Sequence, residues 1–371
     1  MSKQKKMLII STGGTIAQTR NEKTGASVKV GSSEKVVADG FTELIGNELD
    51  EYGFEADAKQ ILTKDSSNIV PDDWVQIIET IEKNYDEYDS FLVTHGTNTL
   101  GYTSAALSFA LGNLGKRVVL TGSQVPYVTN EGKLVSGSDA LMNLQNASRV
   151  AMIPKDELVG VMVVFGSKII TGTRVKKTTS FDYDGFESYS ASQLIGQVGF
   201  DIKFDSIGLK QHADLYSFHA KTADRLQVYK KFNTNIVSLT EFPGMNPRMI
   251  EILLDEMKLD GVILRSIGAG DPNIAPENEA DDYTNLRGIF KLLQTRKIPI
   301  VVTTQAAKGV SSMTASEKGE DAYLMGAIPS WDMSIEAITV KLAWLLGRGM
   351  KYDQIRSEML NPIKGEVIVS N

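Results

Sequence analysis

The feature that most constrains this chain is an alternation of short apolar runs with longer amphipathic segments, in which the first runs end in small polar turns. Met7 to Ser11 opens directly into Thr12, Gly13, Gly14 and Thr15. A run too short for a helix that ends in glycine reads as a buried strand followed by a tight turn. From Pro71 the pattern changes: Trp74, Ile77, Ile78 and Ile81 fall at i, i+3, i+4 and i+7, behind a proline and the acids Asp72 and Asp73. That spacing predicts an amphipathic helix whose first turn carries the residues its free N–H groups favour. Phe91 to Thr94 predicts another buried strand, running into His95, Gly96, Thr97 and Asn98.

The alternation continues through a helix around Ser104 to Leu111, a strand at Arg117 to Thr121, a helix around Ser138 to Met152 and a strand at Val159 to Phe165. In the third helix Ala140, Leu144, Ala147 and Ala151 share one face. Strands alternating with helices imply a parallel sheet covered on both faces. Periodicity weakens between Gly199 and Phe232, then resumes with strands at Ile236 to Leu239, Gly261 to Ile267 and Ile300 to Thr304. Helices are expected between them, from Pro247 to Met257 and around Asn285 to Leu293, and a last one from Ser334 to Leu346. The expected organisation is an N-terminal α/β domain over 1–199, an interdomain connection over 200–232 and a C-terminal α/β domain over 233–371. A chain of 371 residues exceeds one ordinary hydrophobic core, which agrees with two domains.

Composition excludes several classes of function. The net charge of -7 repels a phosphate backbone, and the densest basic groups (Lys3, Lys5 and Lys6, the pair Lys176 and Lys177, the pair Lys230 and Lys231) are too small for a nucleic-acid footprint. The absence of cysteine excludes disulfides, a thiolate nucleophile and Cys-containing zinc sites. The histidines are His95, His212 and His219, in no metal-binding pattern, so metal catalysis is not expected, although an all-carboxylate site stays open. The N-terminal apolar run Met7 to Ile10 is shorter than the roughly 7 to 15 residues of a secretory core, and no later segment approaches the ~18 of a membrane span. A cytoplasmic protein with neither a membrane nor a nucleic-acid partner is expected.

Three polar clusters, Thr12 to Thr15, Thr94 to Thr99 and Gly172 to Thr179, lie at or beyond strand ends, where open α/β sheets bind ligands. Each alone is a weak signal. A threonine is usually a surface residue, a lysine usually solvated, and a serine such as Ser66 often only caps a helix. Their order is specific: TGGTIA, KDSSNIVPDDW, VTHGTNTL, LTGSQVP, SDALMNLQNA, TRVKKTT and GAIPSWDMSIEAITVKLAWLLG. Over roughly residues 7 to 350 this set resembles the bacterial-type asparaginase and glutaminase family.

The resemblance implies two three-layer α/β domains with mostly parallel sheets, and an amidohydrolase that needs no metal or organic cofactor. Thr15 matches the family's first catalytic threonine, next to a lid loop; Thr97 matches the second, and Lys177 the lysine that works with it. Ser66 and Ser67 match residues that hold the substrate's α-carboxylate and its polar neighbours. A threonine hydroxyl needs a neighbouring base, and a lysine serves only if its pKa is lowered. Backbone N–H groups of Gly13, Gly14 and Gly96 are candidate oxyanion donors. The resemblance further implies a homodimer or homotetramer in which a neighbour's C-terminal domain completes the pocket, with Glu317 a loose match to the acid it supplies.

The chain departs from the family at the amine end of the site. Asn98 stands where the HGT motif is normally followed by aspartate. The lid QTRNEKTGASVKVG lacks the family's tyrosine, and SIGAGDPN places Asp271 where asparagine is common. An amide at Asn98 and an acid at Asp271 suit asparagine or glutamine substituted on its amine, for example with a sugar; a slow ordinary asparaginase is the plainer alternative. Two rival readings are the ammonia-generating subunit of the archaeal glutamyl-tRNA amidotransferase and a catalytically impaired binding or regulatory protein. The first expects an extra domain ahead of the TGGT strand, where only six residues precede Met7.

Overall fold

In the computed structural model, the apolar run at Met7–Ser11 forms the centre of strand β1 (Lys5–Gly13). The residues described are 4–21, 23–24, 27–29, 40–154, 158–190, 193–220, 225–275, 284–314 and 316–368. The chain divides into two units, one of Met1–Ser188 with Ser192–Lys230, the other of Tyr189–Ala191 with Lys231–Asn371.

After β1, the first unit contributes β2 (Gln18–Arg20), β3 (Ser27–Lys29), β4 (Phe54–Lys64), β5 (Ser90–Thr94), β6 (Arg117–Thr121) and β7 (Val128–Thr129). It continues with β8 (Gly160–Phe165), β9 (Lys168–Thr171), β10 (Val175–Lys177), β11 (Phe186–Ser188), β12 (Gly196–Val198) and β13 (Ile202–Phe204). Eight of these form one sheet in the order β13-β12-β9-β8-β6-β5-β1-β4. The pairings from β4 through β1, β5 and β6 to β8 are parallel, whereas β9, β12 and β13 are added antiparallel. Counted along the parallel strands alone, the order is 2-1-3-4-5, which puts the topological switch between β1 and β5. Register levels Thr94 with Ser11 on one side and Thr121 on the other, so the turns leaving β1, β5 and β6 emerge at one edge.

Both faces of the central strands β1, β5, β6 and β8 are dry. Met7 and Ile9 join Leu92, Val119, Met162 and Val164 in a core under the helix Ala140–Met152, while Leu8, Ile10, Phe91 and Val93 are equally buried on the other face. Period-two alternation with both sets apolar is what a doubly covered sheet requires. The helix Pro71–Lys83 buries Trp74, Ile77, Ile78 and Ile81 as its spacing predicts. The helix expected at Ser104 begins earlier, at Leu100, directly after the polar turn that follows β5.

Two features were not foreseen. Strand β4 alternates half-buried and exposed positions from Glu55 to Gln60 in the mixed sequence FEADAKQILTK, the pattern of an edge strand with a solvated face. The segment expected to be an interdomain connection belongs largely to the first unit: β13 pairs with β12, and the helix Ser206–Ala220 packs on the strands. That helix buries His212, whose Nε2 lies 2.8 Å from the Val159 carbonyl, and Tyr216, whose ring edge occupies the space a Cβ on Gly160 would need. Its buried face is therefore partly aromatic and polar, and hydrophobic periodicity does not reveal it.

The second unit is a four-stranded parallel sheet, β14 (Ile236–Thr240), β15 (Gly261–Ser266), β16 (Ile300–Thr304) and β17 (Ile328–Pro329), in that order. Helices Arg248–Met257, Arg287–Arg296, Glu317–Leu324, Ile335–Gly347 and Tyr352–Leu360 accompany it. Leu254, Val262, Leu264, Phe290, Leu293 and Val302 lie in its own core.

Candidate active site

The turn after β1 and the turn after β5 meet backbone to backbone. Gly14 has φ of 75°, and a Cβ placed there would lie 2.4 Å from both the N and the Cα of Gly96. No residue but glycine satisfies both the conformation and the contact. A Cβ on Gly96 would in turn lie 2.6 Å from the Ser66 hydroxyl, so the turn after β4 closes on the same point. Thr15, Ser66 and Thr97 are thereby carried to one edge of the sheet by three adjacent parallel strands.

Thr97 is buried, with 7% exposure, and its Oγ1 lies 2.8 Å from the Nζ of Lys177. Lys177 ends β10, whose antiparallel partner β11 is anchored by Phe186 packed against Phe165, ring centroids 4.7 Å apart. The turn before β10 is tied down by Ser104, whose hydroxyl donates to the Gly172 carbonyl at 2.6 Å. Burial lowers the pKa of the Lys177 amine, and no charged neighbour opposes that shift. The arrangement brings a hydroxyl and a nitrogen base into contact, as a threonine nucleophile requires.

Asn98 bridges Lys177 and the serines. Its Oδ1 accepts from Lys177 Nζ at 3.1 Å, its Nδ2 donates to Ser67 Oγ at 3.0 Å, and its backbone N–H donates to Ser66 Oγ at 3.1 Å. Thr99 Oγ1 closes the turn by donating to the Ser66 carbonyl at 2.7 Å. Ser66 is buried and Ser67 exposed, the latter with its N–H held by the Asp65 carboxylate. Among the described residues the half-buried Thr15 hydroxyl has no hydrogen-bond partner.

The expected oxyanion donors divide. The Gly14 N–H donates to the Lys64 carbonyl at 3.0 Å, and Gly13 sits in the β1/β4 ladder opposite Lys64. Gly14 is therefore corrected from oxyanion donor to structural turn. The N–H groups of Gly96 and Thr97 have no partner among the described residues.

Sequence reasoning gave no role to Gln124, Asp139 or His95. Gln124 Oε1 lies 3.5 Å from Thr97 Oγ1. The carboxylate of Asp139 is 3% exposed and accepts from the N–H groups of Gln124 and Val125 and from Asn143 Nδ2, each at about 3.0 Å, which fixes that turn beside Thr97. His95 is completely buried between Gly96 and Thr103. Asp139 lies within the SDALMNLQNA motif and Gln124 within LTGSQVP, so the motif order was a signal for both.

Asp271 and Glu317 lie in the second unit. The Asp271 carboxylate accepts from the Ala269 N–H at 3.2 Å and from the Ser316 hydroxyl. Ser316 caps the helix that Glu317 begins, accepting from the Gly319 N–H at 3.1 Å, and Glu317 is exposed. One serine thus links the two acids singled out in sequence. Of the lid, Gln18–Asn21, Lys23, Thr24 and Ser27–Lys29 are described and the rest lies outside the described residues. Among the described residues no group of three or more His, Asp or Glu side chains is placed to hold a metal ion, and no helix is long and apolar enough to cross a membrane.

Known proteins resemble this chain along nearly its whole length. Residues 6–207 match the model of the asparaginase N-terminal domain, and residues 235–359 that of the glutaminase/asparaginase C-terminal domain. The chain is 32% identical over 362 residues to an L-asparaginase of Thermococcus kodakarensis, covering 98% of this chain and 99% of that protein. The solved structure of the thermostable L-asparaginase from that organism superposes with a TM-score of 0.81 over 98% of this chain and all of the other. L-asparaginase 1 of Escherichia coli is 31% identical over 369 residues, covering 98% of each chain. A component of the glutamyl-tRNA(Gln) amidotransferase from Saccharolobus islandicus is 30% identical over 365 residues, covering 97% of this chain and 75% of that protein. With both family models matched in order and relatives above 30% identity along nearly its whole length, this chain belongs to the asparaginase family.

Proposed function

We propose that the protein hydrolyses the side-chain amide of asparagine, glutamine or a derivative substituted on the α-amine, releasing ammonia through an acyl-threonine intermediate. The 2.8 Å contact between Lys177 Nζ and Thr97 Oγ1 carries this reading. Neutral Lys177 accepts the Thr97 proton as the oxygen attacks the amide carbon. The N–H groups of Gly96 and Thr97 receive the developing oxyanion. When the C–N bond breaks, the proton on Lys177 leaves with ammonia. Water then attacks the ester, giving up a proton to Lys177, and the carboxylic acid departs as Thr97 is restored. Thr97 is favoured as nucleophile because it touches the base; Thr15 supplies a second hydroxyl at the same edge.

Asn98 supports the substituted-amine option. Its amide is neutral, and one lone pair of its carbonyl oxygen already accepts from Lys177, so it offers an ammonium a neutral acceptor at most and no charge to neutralise it. Ser66 and Ser67 bind the carboxylate end. Asp271 and Glu317 bind the amine end, a role supported by motif position; Asp271→Asn and Glu317→Gln should raise KM more than they lower kcat. The protein works as a homodimer or homotetramer in the cytoplasm, assessed by light scattering after gel filtration and by cell fractionation.

Ammonia release would be measured on asparagine, glutamine, their α-N-substituted forms and succinamate. Thr97→Ala and Lys177→Met should each lower kcat by about 1,000-fold or more. Acid quenching and peptide mass mapping should place the acyl adduct on Thr97; an adduct on Thr15 would reassign the nucleophile. Binding without turnover across the panel would favour the regulatory reading.

A further inference from the structure

His95 is a titratable side chain with no exposure at all, two residues from the nucleophile proposed above, and the mechanism makes no use of it. Its Nδ1 lies 2.7 Å from the Gly96 carbonyl oxygen, and its Nε2 lies 2.9 Å from Thr103 Oγ1. Thr103 is also wholly buried and accepts from the indole N–H of Trp74 at 3.2 Å. A carbonyl only accepts, so Nδ1 carries a proton. Burial drives the imidazole pKa down to about 4, against weaker opposing effects from the Gly96 hydrogen bond and the Asp73 charge. In the neutral ring that remains, Nε2 is an acceptor and the Thr103 hydroxyl must donate to it. The chain of donors therefore runs one way, from Trp74 through Thr103 and His95 to the Gly96 carbonyl.

That direction has a consequence on the far side of the peptide. No cis peptide bond occurs among the described residues, and in a planar trans peptide the C=O and the following N–H point in opposite directions. With the Gly96 carbonyl drawn toward the buried imidazole, the Thr97 N–H faces away from it. This N–H and that of Gly96 lack a partner among the described residues, whereas the next one, of Asn98, is taken by Ser66. We infer that His95 is a positioning residue: as a neutral Nδ1–H tautomer set by Thr103 and Trp74, it holds the Gly96–Thr97 peptide so that its N–H serves as an oxyanion donor. It touches neither substrate nor reacting atoms. The inference rests on the hydrolytic reading.

Two variants separate this role from simple packing. His95→Asn keeps a donor near the place of Nδ1, and His95→Gln keeps a group near Nε2 without it. His95→Gln should lower kcat about 10- to 100-fold with KM nearly unchanged, because the lost donor acts on the transition state. His95→Asn should recover most of that loss even where its melting temperature is the lower of the two. Nitrogen-15 NMR of the imidazole should show the Nδ1–H tautomer between pH 5 and pH 8. A His95→Gln enzyme with wild-type kcat, kcat values that follow only the folded fraction in both variants, or an Nε2–H tautomer would each overturn the inference. A wild type inactive on every amide tested would overturn the hydrolytic reading and this inference together. Active wild type with an indifferent His95→Gln would overturn this inference alone.

Discussion

At the scale of single residues, Asn98 decides the electrostatics of the site. Its neutral amide is 3.1 Å from Lys177 Nζ, so the lowering of the Lys177 pKa by burial is not countered by a carboxylate. Asn98→Asp would put a negative charge against the ammonium form and raise that pKa, by about 1 unit or more. On the proposed mechanism the active form is the neutral amine, which accumulates as pH rises through the pKa. The acid limb of kcat/KM against pH should therefore move to higher pH in the variant, and an unmoved or downward-shifted limb would show that Lys177 is not the base. Thr97, Lys177 and Asn98 were all legible in the sequence because motif order picked them out. Their mutual contacts were not, since Lys177 is separated from Thr97 by 80 residues and reaches it only through the β10/β11 hairpin.

At the scale of elements, the site depends on turns that fit against one another. Gly14→Ala adds a Cβ 2.4 Å from the Gly96 backbone at a φ of 75°, so both conformation and contact oppose it. The two turns must separate, moving Thr15 away from Thr97. Turnover should fall about 100-fold or more, since displacements near 1 Å are that costly in a preorganised site; near-normal activity by steady-state assay would show that the turns need not touch. The glycine pair was visible in the sequence as the TGG and HG motifs, but read as oxyanion donors. Only the structure shows that the Gly14 N–H is already bonded to Lys64. Likewise the helix Ser206–Ala220 is not legible in the sequence, because its described buried face carries His212 and Tyr216 and the amphipathic signal relies on aliphatic side chains.

At the scale of the whole molecule, each unit has its own core, and the second also contains an ion pair with no exposure, Lys341 with Glu366. Lys341 Nζ donates as well to the carbonyls of Met359 and Asn361, at 3.1 and 2.7 Å, and Glu366 accepts from the N–H groups of Ile363 and Lys364. The pair thus fastens the segment after the helix Tyr352–Leu360 to the helix Ile335–Gly347. Lys341→Met leaves a buried carboxylate unpaired and should cost about 3 to 5 kcal/mol in chemical denaturation, with Lys341→Met/Glu366→Leu recovering much of it. Faster hydrogen exchange should be confined to residues 231–368, leaving β1, β5 and β6 protected; uniform loss of protection would contradict two separately stabilised units.

By itself the sequence determined the α/β class, much of the strand and helix order, the family and the side chains proposed here as reactive. Those properties follow from local periodicity and from motifs that keep their order along the chain. The tertiary structure decided that β4 crosses to the other side of β1, that Lys177 meets Thr97, that Gly14 is a contact rather than a donor, and that His95 faces Gly96. These are relations between residues far apart in sequence or turned by the backbone, and strand pairing and the packing of turns fix them only when the chain has folded.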